Sequence, residues 1–374
     1  MKPSIVVITH CFPANSKDLP GNFLYDFFLE LKKFCEIIVI TPDYGIEKDF
    51  EFLKKATDKV VFYDWGDKRR LAEFKTCFKD IKSIISMIKN GKNELKKVLK
   101  TEKVSLVLSS WAIPAGIISY RIKKRKILWA LGSDINNFSK SFINLFLLKN
   151  ILSNQDNLLT NSYQLKKKIS KLFGFNSQIL TTTRILEPKT KLNRTEDYLS
   201  LLFVGRIENV KGLDILINAL HYAHIENFTL KVIGDGSLRS YCYNLVNEYN
   251  LQSKIHFLGN MNGDDVAAHM VISDYLIIPS RSESMPVVFW EAMQMSLPVI
   301  ASNCGDLAFY AEKFDTCRIF DGSVRDLSEI LNFIYHFPLL REQLSKNTSK
   351  AVSFVNPAHN AEKFYKNYLM PITE

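Results

Sequence analysis

Two glutamates, Glu283 and Glu291, lie eight positions apart on either side of Pro286. Pro286 occupies a position where the first turn of a helix tolerates proline, and Ser284 is a suitable N-cap before it. A helix that begins there directs its unpaired backbone N–H groups and positive dipole end towards the loop that carries Glu283. Such a site suits an anion with polar substituents, such as the diphosphate, sugar and ribose of a nucleotide sugar. By itself, the spacing fits two surface glutamates beside an ordinary helix equally well.

Two cations, Arg206 and Lys211, follow a buried strand that ends at Gly205, and they precede a helix that Gly212 opens. Arginine binds phosphate through two parallel hydrogen bonds, while lysine acts as a movable point charge. At the carboxyl end of a strand and beside a helix N-terminus, this pair is suited to a diphosphate. The alternative is that both are ordinary surface residues.

A second turn between a strand and a helix is rich in glycine and contains Gly234, Asp235 and Gly236. It is not a dinucleotide fingerprint, because Arg239 stands where the third glycine would fall. The glycines would let a base or ribose approach the backbone, or they would serve as helix caps.

The first half of the chain offers four residues for an acceptor side. Gly21 and Asn22 begin a predicted helix, where backbone N–H groups would meet a phosphate or a sugar. His10 follows the first predicted strand, although a single histidine is more often structural. Asp134 follows a later strand, where it would contact an acceptor hydroxyl or cap a helix.

The sequence predicts neither a metal site nor a cofactor. The seven histidines form no ligand cluster, and no Asp-x-Asp motif is present to hold a metal-bound diphosphate. The six cysteines are scattered without a Cys-x-x-Cys pair, as is typical of reduced thiols in the cytosol.

Short apolar runs alternate with longer helical patterns along the whole chain. Near-continuous apolar runs are typical of strands that are buried on both faces of a parallel sheet. The predicted strands are Ile5–Ile8, Ile37–Ile40, Val60–Tyr63, Leu106–Leu108, Ile127–Trp129, Leu158–Leu159, Ile179–Leu180, Leu201–Val204, Thr229–Ile233, Ile255–Leu258, Tyr275–Ile278, Pro298–Ala301 and Arg318–Phe320. The pattern predicts an α/β protein with two Rossmann-like parallel-sheet domains that face a cleft, a common place for a ligand.

The polar, proline-containing segment 184–197 marks the predicted domain boundary. We expect an N-terminal acceptor-binding domain over 1–186 and a C-terminal nucleotide-sugar-binding domain over 187–355. A final helix over 356–374 packs on one of the two domains, with a return to the N-terminal domain as one option. A long helix is also predicted over 71–100.

The net charge of +10 is unevenly distributed. Residues 1–190 carry 33 Lys and Arg against 18 Asp and Glu, whereas residues 191–374 carry 16 against 21. Most of the basic residues are lysines, which favours diffuse attraction to an anionic membrane surface over nucleic acid. A solvated lysine-rich face is the other explanation. No apolar stretch reaches the length of a membrane span, so we expect a cytoplasmic protein that is peripheral at the inner face of the membrane.

Taken together, the motifs resemble those of a retaining glycosyltransferase of the GT-B fold, in glycosyltransferase family 4 (group 1). The resemblance is most specific over 201–307. There, Phe-Val-Gly-Arg206, Lys211-Gly-Leu-Asp, Val-Ile-Gly234-Asp-Gly236, Glu283 and Glu291-Ala-Met follow one another in the family's order. The first half resembles the family more loosely, through the Gly21 loop and Gly132-Ser-Asp134.

The resemblance implies a role for each matching residue. Arg206 and Lys211 would bind the donor diphosphate and stabilise the leaving nucleotide. Glu283 would contact the donor sugar, and Glu291 would accept hydrogen bonds from the ribose. The turn around the sugar and phosphate would consist of Ser284, Met285 and Pro286, and would lead to the amides of Val287 and Val288.

The sequence departs from the family at three places. Leu131 stands where a histidine usually precedes Gly-Ser-Asp, and Ser284 stands where glycine often follows the first glutamate. The Pro-Asn-Gly-Val turn expected near the domain junction reads Thr-Thr-Arg-Ile-Leu over residues 182–186.

The resemblance predicts metal-independent transfer of a hexose-type sugar, with retention of configuration, from a UDP- or GDP-linked donor to a cell-surface polysaccharide or glycolipid. Three alternatives remain at this stage. The first, motivated by Leu131, is a partner subunit that binds a nucleotide sugar without catalytic activity. The second is a nucleotide-sugar epimerase. The third, motivated by the basic first half, is a nucleic-acid-binding protein.

Overall fold

The computed structural model describes residues 2–71, 74, 78–136, 141–188, 192 and 198–373. The chain divides into two compact units. The first unit comprises Met1–Thr183 together with Pro357–Glu374, and the second unit comprises Arg184–Asn356. The sequence places the first division after residue 186 and the second after residue 355.

The first unit is built on a parallel sheet in the order β3-β2-β1-β4-β5-β6-β7. Its strands are β1 Ser4–Ile8, β2 Glu36–Pro42, β3 Lys59–Tyr63, β4 Leu106–Ser110, β5 Lys126–Ala130, β6 Asn157–Thr160 and β7 Gln178–Ile179. Helices flank this sheet: α1 Asn22–Leu31, α2 Phe50–Ala56, α3 Phe78–Thr101, α4 Ser133–Asn136, α5 Phe142–Ser153 and α6 Tyr163–Phe173. The strands β1, β4 and β5 are buried along their whole length, which explains the apolar runs within them.

The second unit has its own parallel sheet, in the order β10-β9-β8-β11-β12-β13. Its strands are β8 Leu199–Val204, β9 Phe228–Ile233, β10 Ile255–Gly259, β11 Tyr275–Ile278, β12 Val299–Ser302 and β13 Cys317–Phe320. The helices between and after them are α7 Leu213–Tyr222, α8 Arg239–Glu248, α9 Gly263–Val271, α10 Val287–Gln294, α11 Leu307–Phe314, α12 Val324–His336 and α13 Leu339–Phe354. The predicted fold class, two Rossmann-like parallel-sheet domains, is therefore confirmed.

The C-terminal segment consists of α14 Pro357–Phe364, a π-helical turn over Tyr365–Leu369 and α15 Met370–Thr373, and it packs within the first unit. Phe364 meets Phe27 of α1 edge to face, with ring centroids 5.8 Å apart. Asn360 Nδ2 donates to the carbonyl of Thr181 at 2.7 Å. The segment completes the apolar core on the α1 side of the first sheet.

One helix boundary differs clearly from its prediction. The helix predicted over 71–100 is described over Phe78–Thr101, and neither Leu71 nor Phe74 is α-helical. Phe74 instead stacks on Trp65, with ring centroids 5.9 Å apart, and Arg69 lies over its ring. These tertiary contacts override the local helical pattern. Among the described residues, no helix combines the length and apolarity needed to cross a bilayer.

Candidate functional site

Three loops of the second unit meet at the carboxyl edge of its sheet. They follow β8, β9 and β11, which are neighbours in the sheet although β8 and β11 are far apart in sequence. Backbone hydrogen bonds join the loops: Ile207 N donates to Asp235 O at 2.9 Å, and Arg281 N donates to Val210 O at 2.8 Å. The residues predicted around 206, 235 and 283 are thereby brought to one edge, where open α/β sheets bind their ligands.

Lys211 and Glu283 form an ion pair at the centre of this edge. The Lys211 ammonium donates to Glu283 Oε1, and Ser280 Oγ donates to the same oxygen at 3.4 Å. A single 3₁₀ turn, Asn209–Lys211, directs the lysine towards the β11 loop. Both side chains are more than three-quarters buried, so the pair is only weakly screened by solvent.

Gly212 allows the Lys211 loop to approach the β11 loop. Its φ is 68°, and a Cβ at this position would lie 2.0 Å from the carbonyl oxygen of Pro279. The same glycine is the N-cap of α7. The backbone conformation and the close approach both require glycine here.

Gly234 and Gly236 pack against the β8 loop. A Cβ on Gly234 would lie 2.0 Å from Gly205 O, and one on Gly236 would lie 2.5 Å from Ile207 O. The space beside both glycines is therefore occupied by backbone of the protein itself. Loop packing is sufficient to explain these glycines, and their contact with a nucleoside stays a prediction.

Arg206 and Asp235 lie towards the solvent side of this edge. Arg206 is exposed, in contrast to Lys211. Asp235 accepts a hydrogen bond from Gly236 N at 2.8 Å and pairs with Arg239 at 3.2 Å. Hydrogen bonds from Ser237 hold the pKa of Glu208 below its usual value, and the charge of Arg206 acts in the same direction. Arg206 thus supplies a second positive charge to the edge, on a more exposed side chain.

The helix α10 begins one residue later than predicted and has a different cap. Its N-cap is Pro286, with φ −71° and ψ 132°, and no side chain caps it in the described structure. Ser284 is not the N-cap, because its carbonyl accepts from Asp306 N at 3.0 Å, which fixes it in the preceding loop. The first amides of the helix, those of Val287 and Val288, have no intrahelical acceptor. Unpaired amides at a helix start are suited to an anion, and here they follow the buried Met285.

Glu291 lies on α10 and is paired with a residue that the sequence did not single out as functional. Arg184 Nη1 donates to Glu291 Oε1 at 3.4 Å, and the glutamate side chain is almost fully buried. One turn further along, Gln294 Nε2 donates to Arg184 O at 2.7 Å, and Gln294 Oε1 accepts from Leu186 N at 3.2 Å. One face of α10 therefore holds the segment 184–186 through hydrogen bonds to the backbone of the segment and through the charge of its Arg184.

In the first unit, Gly21 and Asn22 lie at the start of α1. Gly21 is the N-cap and contacts the backbone of Cys11, while Asn22 is buried. The His10 ring packs against Trp111 at an interplanar angle of 59°, with ring centroids 4.4 Å apart. Burial, assisted by the positive charge of Arg70, lowers the pKa of His10 to about 4. The imidazole is neutral at pH 7 and is suited to hydrogen bonding, not to neutralising an anion.

Asp134 is a structural anchor in the first unit. Its side chain is only 3% exposed and accepts from the backbone N–H groups of Ala112 at 2.6 Å, Gly132 at 3.0 Å and Ile135 at 3.1 Å. Burial raises the pKa of Asp134, and these hydrogen bonds oppose the shift. The carboxylate ties the loop after β5 to the loop after β4. Contact with an acceptor stays a prediction.

Within the ranges that the structure describes, no group of three or more His, Cys, Asp or Glu residues is arranged to hold a metal ion.

Residues 185–351 match the family model described as glycosyl transferases group 1. A glycosyltransferase of Methanocaldococcus jannaschii is 30% identical over 297 residues, which cover 77% of this chain and 82% of that protein. A putative teichuronic acid biosynthesis glycosyltransferase of Bacillus subtilis is 23% identical over 391 residues, which cover 97% of each chain.

Solved structures share the fold over the whole chain. Sucrose-phosphate synthase from Thermosynechococcus elongatus superposes with a TM-score of 0.82 at 18% identity and covers 100% of each chain. The Anabaena protein HepE, in complex with UDP and glucose, has a TM-score of 0.75 at 15% identity and covers 97% of this chain and 98% of its own. The fold is that of GT-B glycosyltransferases. The chain belongs to the group 1 family of glycosyltransferases and is a sugar-transferring enzyme.

Proposed function

We propose that this enzyme transfers a hexose-type sugar from a nucleoside diphosphate donor to a cell-surface polysaccharide or glycolipid, with retention of configuration and without a metal ion. One observation carries the proposal. A buried Lys211–Glu283 pair, an exposed Arg206 and the uncapped start of α10 share the carboxyl edge of one sheet. Two positive charges and a helix N-terminus are a complete binding arrangement for a diphosphate.

In the proposed complex, the diphosphate lies on Lys211, Arg206 and the amides of Val287 and Val288. When the phosphate binds, Lys211 shifts part of its interaction from Glu283 to the phosphate. Glu283 then accepts a hydrogen bond from the donor sugar. The carboxylate thus keeps the ammonium in place until the donor arrives, and little reorganisation is needed when it binds. Fixed charges of this kind stabilise the leaving diphosphate in the transition state.

For transfer with retention, the bond between the anomeric carbon and the phosphate oxygen breaks, and the acceptor oxygen forms its bond on the same face of the sugar. The acceptor proton passes to an oxygen of the leaving diphosphate. Charge builds up on that diphosphate, which is where the two cations and the helix N-terminus lie. This placement of positive charge supports catalysis by the side chains and helix dipole in place of a metal ion.

Relatives support the choice of donor and acceptor. Anabaena HepE has been solved with UDP-glucose, which favours a UDP-linked donor here. The Bacillus subtilis relative has a putative role in teichuronic acid biosynthesis, which favours a surface polysaccharide as the acceptor. The excess of lysine in residues 1–190 supports a position at an anionic membrane surface, where such acceptors are assembled.

The nucleotide is the first part of the proposal to test. In a thermal-shift screen of UDP, GDP, ADP and their sugars, one nucleoside diphosphate should raise Tm, because a ligand that binds only the native state stabilises it by mass action. At a hundredfold excess over Kd, the stabilisation amounts to about 2.7 kcal/mol. EDTA should leave both the shift and the transfer rate unchanged. A shift that requires Mg²⁺ would contradict the metal-free diphosphate site.

The stereochemistry is tested on the product. With the donor identified, ¹H NMR of the transferred sugar should show the donor's anomeric configuration. An inverted product would contradict same-face transfer. If the donor alone were converted to an isomeric nucleotide sugar, the protein would be an epimerase.

Arg184 is expected to act on donor affinity and not on the chemical step. Its guanidinium positions Glu291, which we assign to the ribose hydroxyls. The ribose contact lies away from the bond that breaks. Arg184→Ala should raise KM for the donor by about tenfold and leave kcat nearly unchanged, since one charged hydrogen bond to a buried partner is lost. Arg184→Lys keeps the charge and should recover part of the affinity. A fall in kcat with unchanged KM would contradict this positioning role.

A further inference from the structure

The helix α5 in the first unit is apolar on the side that faces away from its own core. Leu148, Ile151 and Leu152 are buried. Three large apolar residues are exposed: Ile143 by 77%, Phe146 by 68% and Leu147 by 40%. Positions i, i+3 and i+4 share one face of a helix, so these three side chains form a continuous exposed patch. A helix that is apolar all round normally has both faces covered.

The neighbouring helix α6 adds positive charge beside this patch. Leu165, Ile169 and Phe173 of α6 belong to the same core cluster as the buried face of α5. Because β5, β6 and β7 are consecutive parallel neighbours, right-handed crossovers place α5 and α6 on the same face of the sheet. The outer side of α6 exposes Lys167 and Lys171.

The charge around the two helices is strongly one-sided. Residues 141–173 contain five lysines and a single acidic residue, Asp156. Lys149 is exposed on α5 itself. A second copy of this face would bring like charges together, so self-association through it is electrostatically unfavourable. An anionic bilayer instead provides both an apolar interior for the patch and negative headgroups for the lysines.

We propose that the α5–α6 face, defined by Ile143, Phe146, Leu147, Lys167 and Lys171, docks the enzyme on an anionic lipid bilayer. The helix lies in the plane of the interface and inserts its three apolar side chains among the acyl chains. Twelve residues are too few to span a bilayer, but they suit such a monotopic anchor. The α5–α6 face is the surface that would place the enzyme at the membrane, as the proposed function requires. The docking does not depend on the donor chemistry.

Vesicle flotation tests the proposal with the full chain. Wild-type protein should float with phosphatidylcholine vesicles that contain phosphatidylglycerol, much less with phosphatidylcholine alone, and less as salt is added. Ile143→Ser combined with Phe146→Ser should weaken binding to the anionic vesicles by about tenfold or more, because the inserted apolar area is lost. Lys167→Ala combined with Lys171→Ala should also weaken binding, and more strongly at low salt.

The matched control is Leu339→Ser in the second unit, where Leu339 is 76% exposed, nearly as much as Ile143. This variant should bind vesicles like the wild type. The Ile143 and Phe146 variant should keep the thermal shift with the donor nucleotide, which shows that it is folded and separates a failure of docking from a failure of the donor site. Equal flotation of that variant and the wild type would overturn the proposal. So would a wild-type dimer that the variant converts to a monomer.

Discussion

Replacement of Lys211 by alanine should lower kcat/KM for sugar transfer by about 10² or more, the scale of losing one preorganised charge contact in the transition state. Lys211 is held more firmly than Arg206, since it is mostly buried and paired with Glu283. Its removal would also leave Glu283 without its main partner. We expect a fall in kcat and not only a rise in KM, because charge builds up on the diphosphate as it leaves.

Arg206→Ala should lower kcat/KM on a similar scale, through the same developing charge. Because Arg206 is exposed, Arg206→Lys should recover more activity than Lys211→Arg, which must fit a mostly buried position. Arg325→Ala is the control, since Arg325 is highly exposed on α12 and pairs only locally with Glu329. Near-normal turnover in both the Arg206 and Lys211 alanine variants would refute the assigned diphosphate site.

Gly212→Ala should be among the most damaging single-methyl additions in the second unit. The new Cβ would lie 2.0 Å from the carbonyl oxygen of Pro279, in a backbone conformation with φ of 68°. The left-handed conformation costs about 1 to 2 kcal/mol, and the steric overlap adds about 1 to 3 kcal/mol. Relief of the overlap would also move Lys211 away from Glu283, so transfer activity should fall together with Tm.

Gly259→Ala separates these two costs. Gly259 has a similar φ of 75°, but a Cβ there meets no atom within 4 Å. It should lose only the conformational contribution, about 1 to 2 kcal/mol, and should keep its activity. Calorimetry of both variants measures the difference. Equal losses of Tm would show that the contact between Gly212 and Pro279 does not constrain the Lys211 loop.

Much of the fold could be predicted because most of its strands are buried on both faces. All thirteen predicted strands overlap strands of the structure, seven in the first sheet and six in the second. Unbroken apolar runs identify such strands without knowledge of their neighbours. The order of the strands within each sheet is a tertiary property that no single run contains.

Helix starts were less predictable, since they depend on tertiary partners. Ser284 has the right residue type for a cap, but the loop after β12 binds its carbonyl and α10 begins only after Pro286. Neither Leu71 nor Phe74 belongs to the long helix α3, and Phe74 packs on Trp65 instead. Cap propensity and periodicity describe neither contact.

The donor-side residues were predictable as types and positions but not as pairs. The sequence indicated Lys211 and Glu283 separately, and only the adjacency of β8 and β11 brings them into contact. Arg184 could be seen as a departure from the family's junction turn, yet nothing in its spacing indicated a bond to Glu291, more than a hundred positions later. For Gly234 and Gly236 the sequence left ligand approach and helix capping open, and the structure adds a third reason for glycine, the backbone of the β8 loop packed against both.

The most direct test of the central claim is a crystal structure of the enzyme with UDP or GDP. We predict that the diphosphate lies at the carboxyl edge of the second sheet, in contact with Lys211, Arg206 and the amides of Val287 and Val288, with the ribose on Glu291. A nucleotide bound elsewhere, with the Lys211–Glu283 pair intact and this edge empty, would contradict the proposed mechanism.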